Sequence, residues 1–241
     1  MFSALCEGRI RLSPNYNYPR NRKLSRVTVH CYCGNVTAES MGEWFSRKST
    51  MASCNYGVDK DGRVIGIVDE DNRSWCSSSS DNDNRAITIE VASSAYAPYS
   101  VTPDAFDGLL NLLVDICKRY NKTKLVWIAD KTKALSYVPA DDELLMTVHR
   151  WFANKACPGE YLLDKHTFIA EEVTRRLKYE NIKERPKVIY NTVEEMPEAY
   201  RPSVQKLLDR GVIKGTAAGL DISREMARMI VILDRAGVFD R

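Results

Sequence analysis

The sequence has no hydrophobic run that approaches the ~20 residues needed to span a bilayer as a helix. It also has no marked excess of either charge, because 35 basic residues stand against 32 acidic ones and leave a net charge of +3. That balance does not by itself indicate nucleic-acid binding, although it is compatible with an anionic polymer. With 44% hydrophobic and 28% charged residues, the composition excludes disorder as a description of the whole chain and predicts a globular protein.

The N-terminal segment Met1–Pro14 lacks the unbroken apolar stretch of a secretory signal peptide. Three charged residues interrupt it, namely Glu7, Arg9 and Arg11. We therefore expect a protein without a secretory signal that is located in the cytoplasm after synthesis.

The sequence contains seven cysteines and no C-x-x-C pair. The number and spacing of these thiols indicate the redox compartment and the kind of metal site to expect. An odd number of thiols in a chain of this length predicts a reducing compartment, in which most thiols pack as small hydrophobic side chains. We assign Cys31 and Cys33 to this packing class, because a zinc ribbon would need a second pair at ligand spacing. The cysteines are Cys6, Cys31, Cys33, Cys54, Cys76, Cys117 and Cys157.

Interleaved strand and helix patterns predict an α/β or α+β layered fold. Residues 26–31 and 86–91 have the β-branched patterns of strands, and a hairpin is predicted around residues 61–62. A helix is predicted to start at Thr102 and to cover the sheet with one apolar stripe. Residues 77–84 (SSSSDNDN) are predicted to form a polar loop that has no means of burying itself.

The pattern breaks in a charged linker at Lys183–Lys187, which predicts two domains, residues 1–180 and residues 187–241. The second is predicted to be a helical hairpin with a brief extended piece at residues 212–215. Its last helix is capped by Ser223 and carries one apolar stripe, formed by Met226, Met229, Ile230 and Leu233. A module this small buries little surface alone, so docking or repetition would help it.

Two of the three histidines stand at the ends of predicted strands, and a cysteine follows the second of them. These residues are His30, His149 and Cys157. Two imidazoles and one thiolate form a tetrahedral zinc site with one open corner, and a water molecule held there has a lowered pKa. Spacing alone leaves an alternative open, in which the two histidines form hydrogen bonds at strand ends, the thiol is buried and no metal is bound.

Four sequence segments, in this order, resemble the type 2 N-acetylmuramoyl-L-alanine amidases, the family that includes phage lysozyme-type amidases and peptidoglycan recognition proteins. They are V-T-V-H-C at residues 27–31, N-Y-G-V-D-K-D-G at 55–62, A-I-T-I-E-V at 86–91 and T-V-H-R-W-F-A-N-K-A-C-P-G at 147–159. The resemblance covers roughly Val27–Arg176. Within the family, the sequence is most similar to endolysins of phages and prophages of Gram-positive, clostridia-like hosts.

The resemblance implies a mixed β-sheet flanked by helices, one zinc ion, and hydrolysis of the amide between N-acetylmuramic acid and L-alanine in peptidoglycan. It assigns His30, His149 and Cys157 to the positions of the family's zinc ligands. It also carries Glu90 onto a strand glutamate that some members use as acid and base, and Lys155 onto the family lysine that can stabilise the oxyanion. The missing signal peptide agrees with an endolysin, which stays in the host cytoplasm until it is released to the cell wall.

One departure from the family concerns the strand before the hairpin, where many members carry Tyr-His and this sequence has Cys54-Asn55. Because a thiol is a poor hydrogen-bond donor, the role of the tyrosine is absent or filled by another group. We predict that Cys54 is not a fourth zinc ligand, since a closed site could not hold the water. The candidate substrate contacts are Trp44, Asn55, Trp75, Asn84, Arg85 and Trp151.

The C-terminal module resembles a single S-layer-homology-like unit in its G-V-I-K-G turn and its final helix, which implies tethering to cell-wall polymer. A helical appendage that packs on the catalytic domain or mediates dimerisation is the alternative. For the whole chain, the alternative is a peptidoglycan-binding module without catalysis, although such members typically lack the cysteine found here at position 157. We expect peptidoglycan as the partner, no nucleic acid and no stable membrane insertion.

Overall fold

The structure is a computed structural model that describes residues 1–183, 188–217 and 219–240, with residues 180–183 described by their backbone alone. Residues 184–187 of the predicted linker therefore lie outside the described residues. The chain divides into two compact units, Met1–Glu180 and Asn181–Arg241. Among the described residues, no helix is both long and apolar enough to cross a membrane.

The secondary structure alternates between strands and helices along most of the first unit. The strands are β1 (Tyr16–Asn17), β2 (Arg26–Cys33), β3 (Tyr56–Val58), β4 (Val64–Gly66), β5 (Arg73–Ser74), β6 (Ala86–Ser93), β7 (Lys124–Val126), β8 (Glu143–Thr147), β9 (Ile189–Tyr190) and β10 (Ile222–Ser223). The α-helices are α1 (Ala38–Phe45), α2 (Ser80–Arg85), α3 (Pro103–Arg119), α4 (Lys131–Ser136), α5 (Gly159–Lys183), α6 (Arg201–Asp209) and α7 (Arg224–Arg235). Short 3-10 turns are found at Ala4–Cys6, Lys48–Thr50 and His149–Trp151.

A six-stranded mixed sheet lies at the centre of the first unit, in the order β4-β3-β6-β2-β8-β7. The hairpin strands β3 and β4 are antiparallel, and all other neighbours in this sheet are parallel. Helices α3 and α5 share the main hydrophobic core with the central strands, while α1 packs in a separate cluster beside β4. The predicted mixed sheet flanked by helices is confirmed.

Helix α3 begins where the sequence predicts. The Thr102 hydroxyl accepts a hydrogen bond from the Ala105 N–H at 3.1 Å, which satisfies one of the free donors of the first turn. Pro103 occupies the first helical position, where its missing N–H costs nothing. Leu109 and Leu113 are fully buried, so the apolar stripe covers the sheet as expected.

The register of the parallel strands decides which side chains share a row across the sheet. His30 on β2 pairs with Glu90 on β6. Thr28 on β2 pairs with Thr147 on β8, and the same offset continued by two residues brings His149 level with His30, just beyond the end of β8. These three side chains therefore lie together in one row across the sheet. The expectation that His30 ends its strand is wrong, because β2 continues to Cys33, and only His149 lies beyond the end of its strand.

The expectation of an unburied polar loop at residues 77–84 is wrong. The segment forms helix α2, whose N-cap is Ser79, and it buries the side chains of Asn82, Asp83 and Asn84. Burial is tolerated because the polar atoms are hydrogen-bonded. Asn82 Nδ2 donates to the Thr28 hydroxyl at 2.9 Å, and the Asp83 carboxylate accepts from two backbone N–H groups of the preceding turn. Composition alone could not reveal these partners, which come from distant strands.

The second unit contains α6 and α7, which contact each other, and the antiparallel pair β9 and β10. A small hydrophobic cluster holds these elements together. The expected extended piece at residues 212–215 is wrong, because the chain makes bends there and the strand pairing occurs at β9 and β10 instead. The predicted helices and the Ser223 cap, whose hydroxyl accepts from the Met226 N–H at 3.1 Å, are confirmed.

The predicted apolar stripe of α7 needs a correction. Met226 and Met229 are 53% and 55% exposed, whereas Ile230 is buried as expected and Leu233 is partly buried. The buried face consists of Ala227, Ile230 and Val231. The helix is turned so that Asp234 accepts hydrogen bonds from Ser203 and Lys206 of α6, a polar contact that an apolar pattern cannot predict.

A buried carboxylate, Glu70, ties the segment after β4 to β3 and to the end of α3. Its oxygens accept two hydrogen bonds from the Arg119 guanidinium, both at 2.6 Å. The hydroxyls of Tyr56 and Tyr120 donate to the same carboxylate at 2.5 and 2.9 Å. A buried charge with this many donors is stabilised only while all of its partners remain in place.

We expect Glu70→Gln to lower the free energy of unfolding by about 3 kcal/mol, because it leaves a largely buried guanidinium without its bidentate partner. Urea denaturation followed by circular dichroism measures this change. The matched control is Asp141→Asn, which removes a carboxylate from an exposed pair with Lys23 and should change stability little. Equal effects of the two substitutions would contradict a structural role for the Glu70 network.

Candidate metal centre

Three predicted ligand side chains converge beside β2, close to the point where β8 ends. The donor atoms of His30, His149 and Cys157 lie within 4.8 Å of one another. Nδ1 of His30 is 3.3 Å from Sγ of Cys157, and the two imidazole centroids are 5.1 Å apart. For Zn–S of about 2.3 Å, Zn–N of about 2.0–2.1 Å and tetrahedral angles, an N···S separation of about 3.5 Å is expected. The donor types and their spacing therefore fit a tetrahedral ion such as zinc, with one position open.

A tight turn after β8 returns the chain to the histidines. The expected extended segment through His149 is too long, because β8 ends at Thr147 and His149 begins the 3-10 turn. The Phe152 N–H donates to the His149 carbonyl at 2.9 Å, which closes that turn. The Arg150 N–H then donates to the Cys157 carbonyl at 3.1 Å, so the thiol is fixed beside the strand end.

Other thiols surround this centre. Cys31 packs against the main core as expected, and its thiol also forms a hydrogen bond with Cys157. That hydrogen bond and burial raise the pKa of Cys157, and a coordinating divalent cation acts in the opposite direction because it deprotonates the thiol. The packing assignment is wrong for Cys33, which is exposed at the end of β2. Cys54 is buried beside Glu90 and belongs to neither donor cluster of the described residues.

Glu90 lies next to His30 in a second cluster of donor atoms, which includes Cys76. Its Oε1 is 4.0 Å from His30 Nδ1 and accepts a hydrogen bond from the Cys76 thiol at 3.7 Å. Its Oε2 is buried and has no hydrogen-bond partner among the described residues. Burial, reinforced by the nearby Cys31 thiol, raises the pKa of Glu90 to about 8. Sequence reasoning missed Cys76, because no spacing motif links it to His30.

A cleft of about 360 Å³ opens beside His149, and its walls include Lys155, Trp75 and Arg73. Lys155 is exposed, and its charge adds to burial in lowering the pKa of His149. The Nε atom of Arg73 is buried and has no hydrogen-bond partner among the described residues. Arg73 carries no sequence signal of its own, since a single arginine in a short strand matches no motif. The cleft wall therefore combines two cations, the Asp83 carboxylate and the flat aromatic side chain of Trp75.

Of the six expected substrate contacts, Trp75 lines this cleft, and its indole N–H donates to Asn17 Oδ1 at 2.6 Å. Trp44 is 46% exposed on α1 beneath the Arg47 guanidinium and is not part of the cleft wall. Arg85 is not part of the wall either, because its guanidinium bonds the Asp81 carboxylate on the same helix.

The other three residues expected to contact substrate differ from that expectation, because the structure buries their side chains. Asn55 is fully buried, donates to the Val68 carbonyl at 3.1 Å and accepts from the Thr88 N–H at 3.0 Å. Asn84 is 8% exposed and bonds the Ser80 carbonyl. Trp151 is 9% exposed and stacks on Trp127 at a centroid distance of 5.2 Å. These side chains make their contacts within the fold and are not part of the cleft wall.

The third histidine has a structural environment. His166 is fully buried in α5, with Nδ1 2.6 Å from the Leu162 carbonyl oxygen. Its ring centroid is 4.5 Å from that of Trp127. Burial lowers the pKa of His166 to about 4, so the imidazole is neutral near pH 7.

Comparison with known proteins gives a family match and a fold match. The profile of a family described as N-acetylmuramoyl-L-alanine amidase matches residues 20–160. The structure of PlyL is similar with a TM-score of 0.51 and 16% identity, over 68% of this chain and 95% of that chain. N-acetylmuramoyl-L-alanine amidase LysC from Clostridium intestinale URNW gives a TM-score of 0.45 and 18% identity, over 70% and 97%. No curated protein sequence matches the chain. At these identities, the likeness to PlyL shows a common fold alone.

We expect the purified chain to bind one cobalt(II) ion with the absorption spectrum of a tetrahedral site that has a single thiolate ligand. Cys157→Ser should remove the sulfur-to-cobalt charge-transfer band and most of the metal affinity, because it removes a direct ligand. The control is Cys117→Ser, which alters a buried thiol in α3 and should leave the spectrum unchanged. A spectrum with two thiolates would contradict the three-residue donor set and would point to Cys76 or Cys31 as a further ligand.

Proposed function

The chain belongs to the N-acetylmuramoyl-L-alanine amidase family, and we propose that it is a zinc-dependent enzyme that hydrolyses the amide between N-acetylmuramic acid and L-alanine. One observation carries this proposal: two imidazoles and a thiol meet within 4.8 Å, next to a buried glutamate. A site that only bound peptidoglycan would not need this donor set. We further propose that the enzyme acts as an endolysin on bacterial cell walls.

The proposed roles follow from the positions of the side chains. His30, His149 and Cys157 would hold the zinc ion, which when bound supplies a Lewis acid and an activated water molecule. Glu90, with one oxygen lacking a partner among the described residues, would accept a proton from the attacking water and return it to the leaving nitrogen. A divalent cation bound beside it would lower its raised pKa and so favour the carboxylate form that this role requires. Lys155 would stabilise the negative charge that develops on the carbonyl oxygen, a contribution of about 3–4 kcal/mol for one such donor.

The cleft beside His149 suits a substrate that carries both sugars and carboxylates. Trp75 offers a flat aromatic wall, and a sugar ring stacks favourably on such a surface. Arg73 and Lys155 in the wall outnumber its one carboxylate, Asp83, and this excess of positive charge favours the carboxylates of the peptide stem. We therefore propose that Trp75 and Arg73 contact substrate, in place of the buried residues corrected above.

We expect Glu90→Gln to lower the rate of amide hydrolysis by about 10²- to 10⁴-fold, because the substitution removes the proton acceptor. The measurement is mass spectrometry of purified cell wall after digestion, which detects new N-terminal L-alanine on the peptide stems. Zinc content, measured in parallel, should stay at one ion per chain because Glu90 is not among the proposed ligands.

Cys157→Ser serves as the second variant in that experiment, and it should lose both zinc and activity. If the native chain binds walls and zinc but releases no L-alanine termini, the chain is a binding module without catalysis. If Glu90→Gln digests walls as fast as the native chain, the proton is handled by another group.

For the second compact unit, we propose an S-layer-homology-like role in which residues 187–241 tether the enzyme to cell-wall polymer. Support comes from its separate core and from the exposed apolar side chains of α7, Met226, Met229 and Ile232, each more than half exposed. A helix face of this kind is available to a partner.

Deletion of residues 187–241 should abolish co-sedimentation with purified cell walls and leave zinc content unchanged, because the proposed ligands all belong to the first unit. Sedimentation of the truncated and full chains over the same range of wall concentrations measures the effect. Equal sedimentation of both chains would refute the tether and favour a helical appendage or a dimerisation element.

A further inference from the structure

One ring nitrogen of His149 has a partner that the proposed chemistry does not use. Nε2 of His149 lies 3.0 Å from the Ser78 hydroxyl oxygen. A metal-ligating imidazole commonly bonds through its second nitrogen to a protein group, which fixes the tautomer and the orientation of the ring. We propose that Ser78 is a positioning residue for His149, holding a proton on Nε2 and leaving Nδ1 to bind the metal. This inference rests on the proposed zinc site.

The backbone of Ser78 has a conformation that non-glycine residues rarely adopt. Its φ is +61°, in the left-handed region. Such a conformation persists only when the surroundings enforce it. On its N-terminal side the turn is held by Asp83, whose carboxylate accepts bonds from the Cys76 N–H at 3.1 Å and from the Ser77 hydroxyl at 2.6 Å. The hydroxyl of Ser78 is therefore presented by a constrained turn.

The same turn is connected to the strands that carry the histidines. Asn82 donates to the Thr28 hydroxyl on β2 at 2.9 Å and to the Ser77 hydroxyl at 3.1 Å. Its Oδ1 accepts from the Thr147 hydroxyl on β8 at 3.1 Å. Thr28 and Thr147 stand two positions before the two histidines along their strands, so the turn is fixed relative to the metal-binding row.

The two histidines are held in different ways. His30 is fully buried on the central strand, and its Nε2 has no hydrogen-bond partner among the described residues. Packing therefore fixes its ring. His149 follows the end of β8 and is only partly buried. Its ring orientation is therefore fixed by the hydrogen bond to the Ser78 hydroxyl rather than by packing. Removal of the Ser78 hydroxyl should therefore increase the mobility of the His149 ring and leave the His30 ring in place.

The test compares Ser78→Gly and Ser78→Ala with the native chain, using zinc as the probe. We expect the dissociation constant for zinc, measured by competition with a chromophoric chelator, to rise about 10- to 100-fold in both variants. Thermal unfolding without added metal should show Ser78→Gly to be at least as stable as the native chain, because glycine tolerates a φ of +61°. A role confined to structure would not weaken zinc binding while stability is retained.

The matched control is Ser80→Ala, which removes a hydroxyl two residues away and should leave the zinc dissociation constant unchanged. Zinc binding as tight in both Ser78 variants as in the native chain would overturn the inference and leave the proposed enzyme intact. Failure of the native chain to bind zinc would overturn the proposed function and this inference together. Weakened binding in Ser80→Ala as well would overturn it too, since the effect would then not be specific to Ser78.

Discussion

The parallel register of three adjacent strands is the constraint on which the site depends. It aligns Glu90 on β6 with His30 on β2, and it brings His149, just beyond the end of β8, level with both. The row two positions earlier contains threonines, of which Thr28 and Thr147 share a hydrogen bond of 2.7 Å. A slip by one residue in the pairing of β2 with β6 or with β8 would turn the affected side chains to the opposite face of the sheet and separate the site residues. The threonine contact and Asn82 together oppose such a slip.

Two buried glutamates in this protein show how the surroundings of a carboxylate decide its use. Glu70 accepts hydrogen bonds from one arginine and two tyrosines, so its oxygens are saturated and its position is fixed. Glu90 has one contact with a thiol and one oxygen without a partner among the described residues. The first arrangement stabilises a fold, whereas the second leaves a carboxyl group whose protonation its partners do not fix. The residue type is the same, and only the neighbours differ.

Sequence reasoning predicts local features well where a short pattern has a direct physical cause. The cap at Thr102, the hairpin around residues 61–62 and the strand containing Glu90 all follow from such patterns. Sequence reasoning did not predict the burial of residues 77–84, because the hydrogen-bond partners of those polar groups come from other strands. For the same reason Cys76 and Arg73 carry no sequence signal, although both lie beside the site. The exposed methionines of α7 are a third case, since an apolar stripe does not say which side meets the neighbouring helix.

The central position of β2 has a consequence for how the three donor side chains come together during folding. Its neighbours come from far along the chain, and the contact between Thr28 and Thr147 joins residues 119 positions apart. Contacts of such long range form slowly, because a large loop must close first. A nascent chain that has not yet extended past Cys157 has no complete donor set, whatever the local zinc concentration. Assembly of the three donor side chains is thus coupled to completion of the sheet.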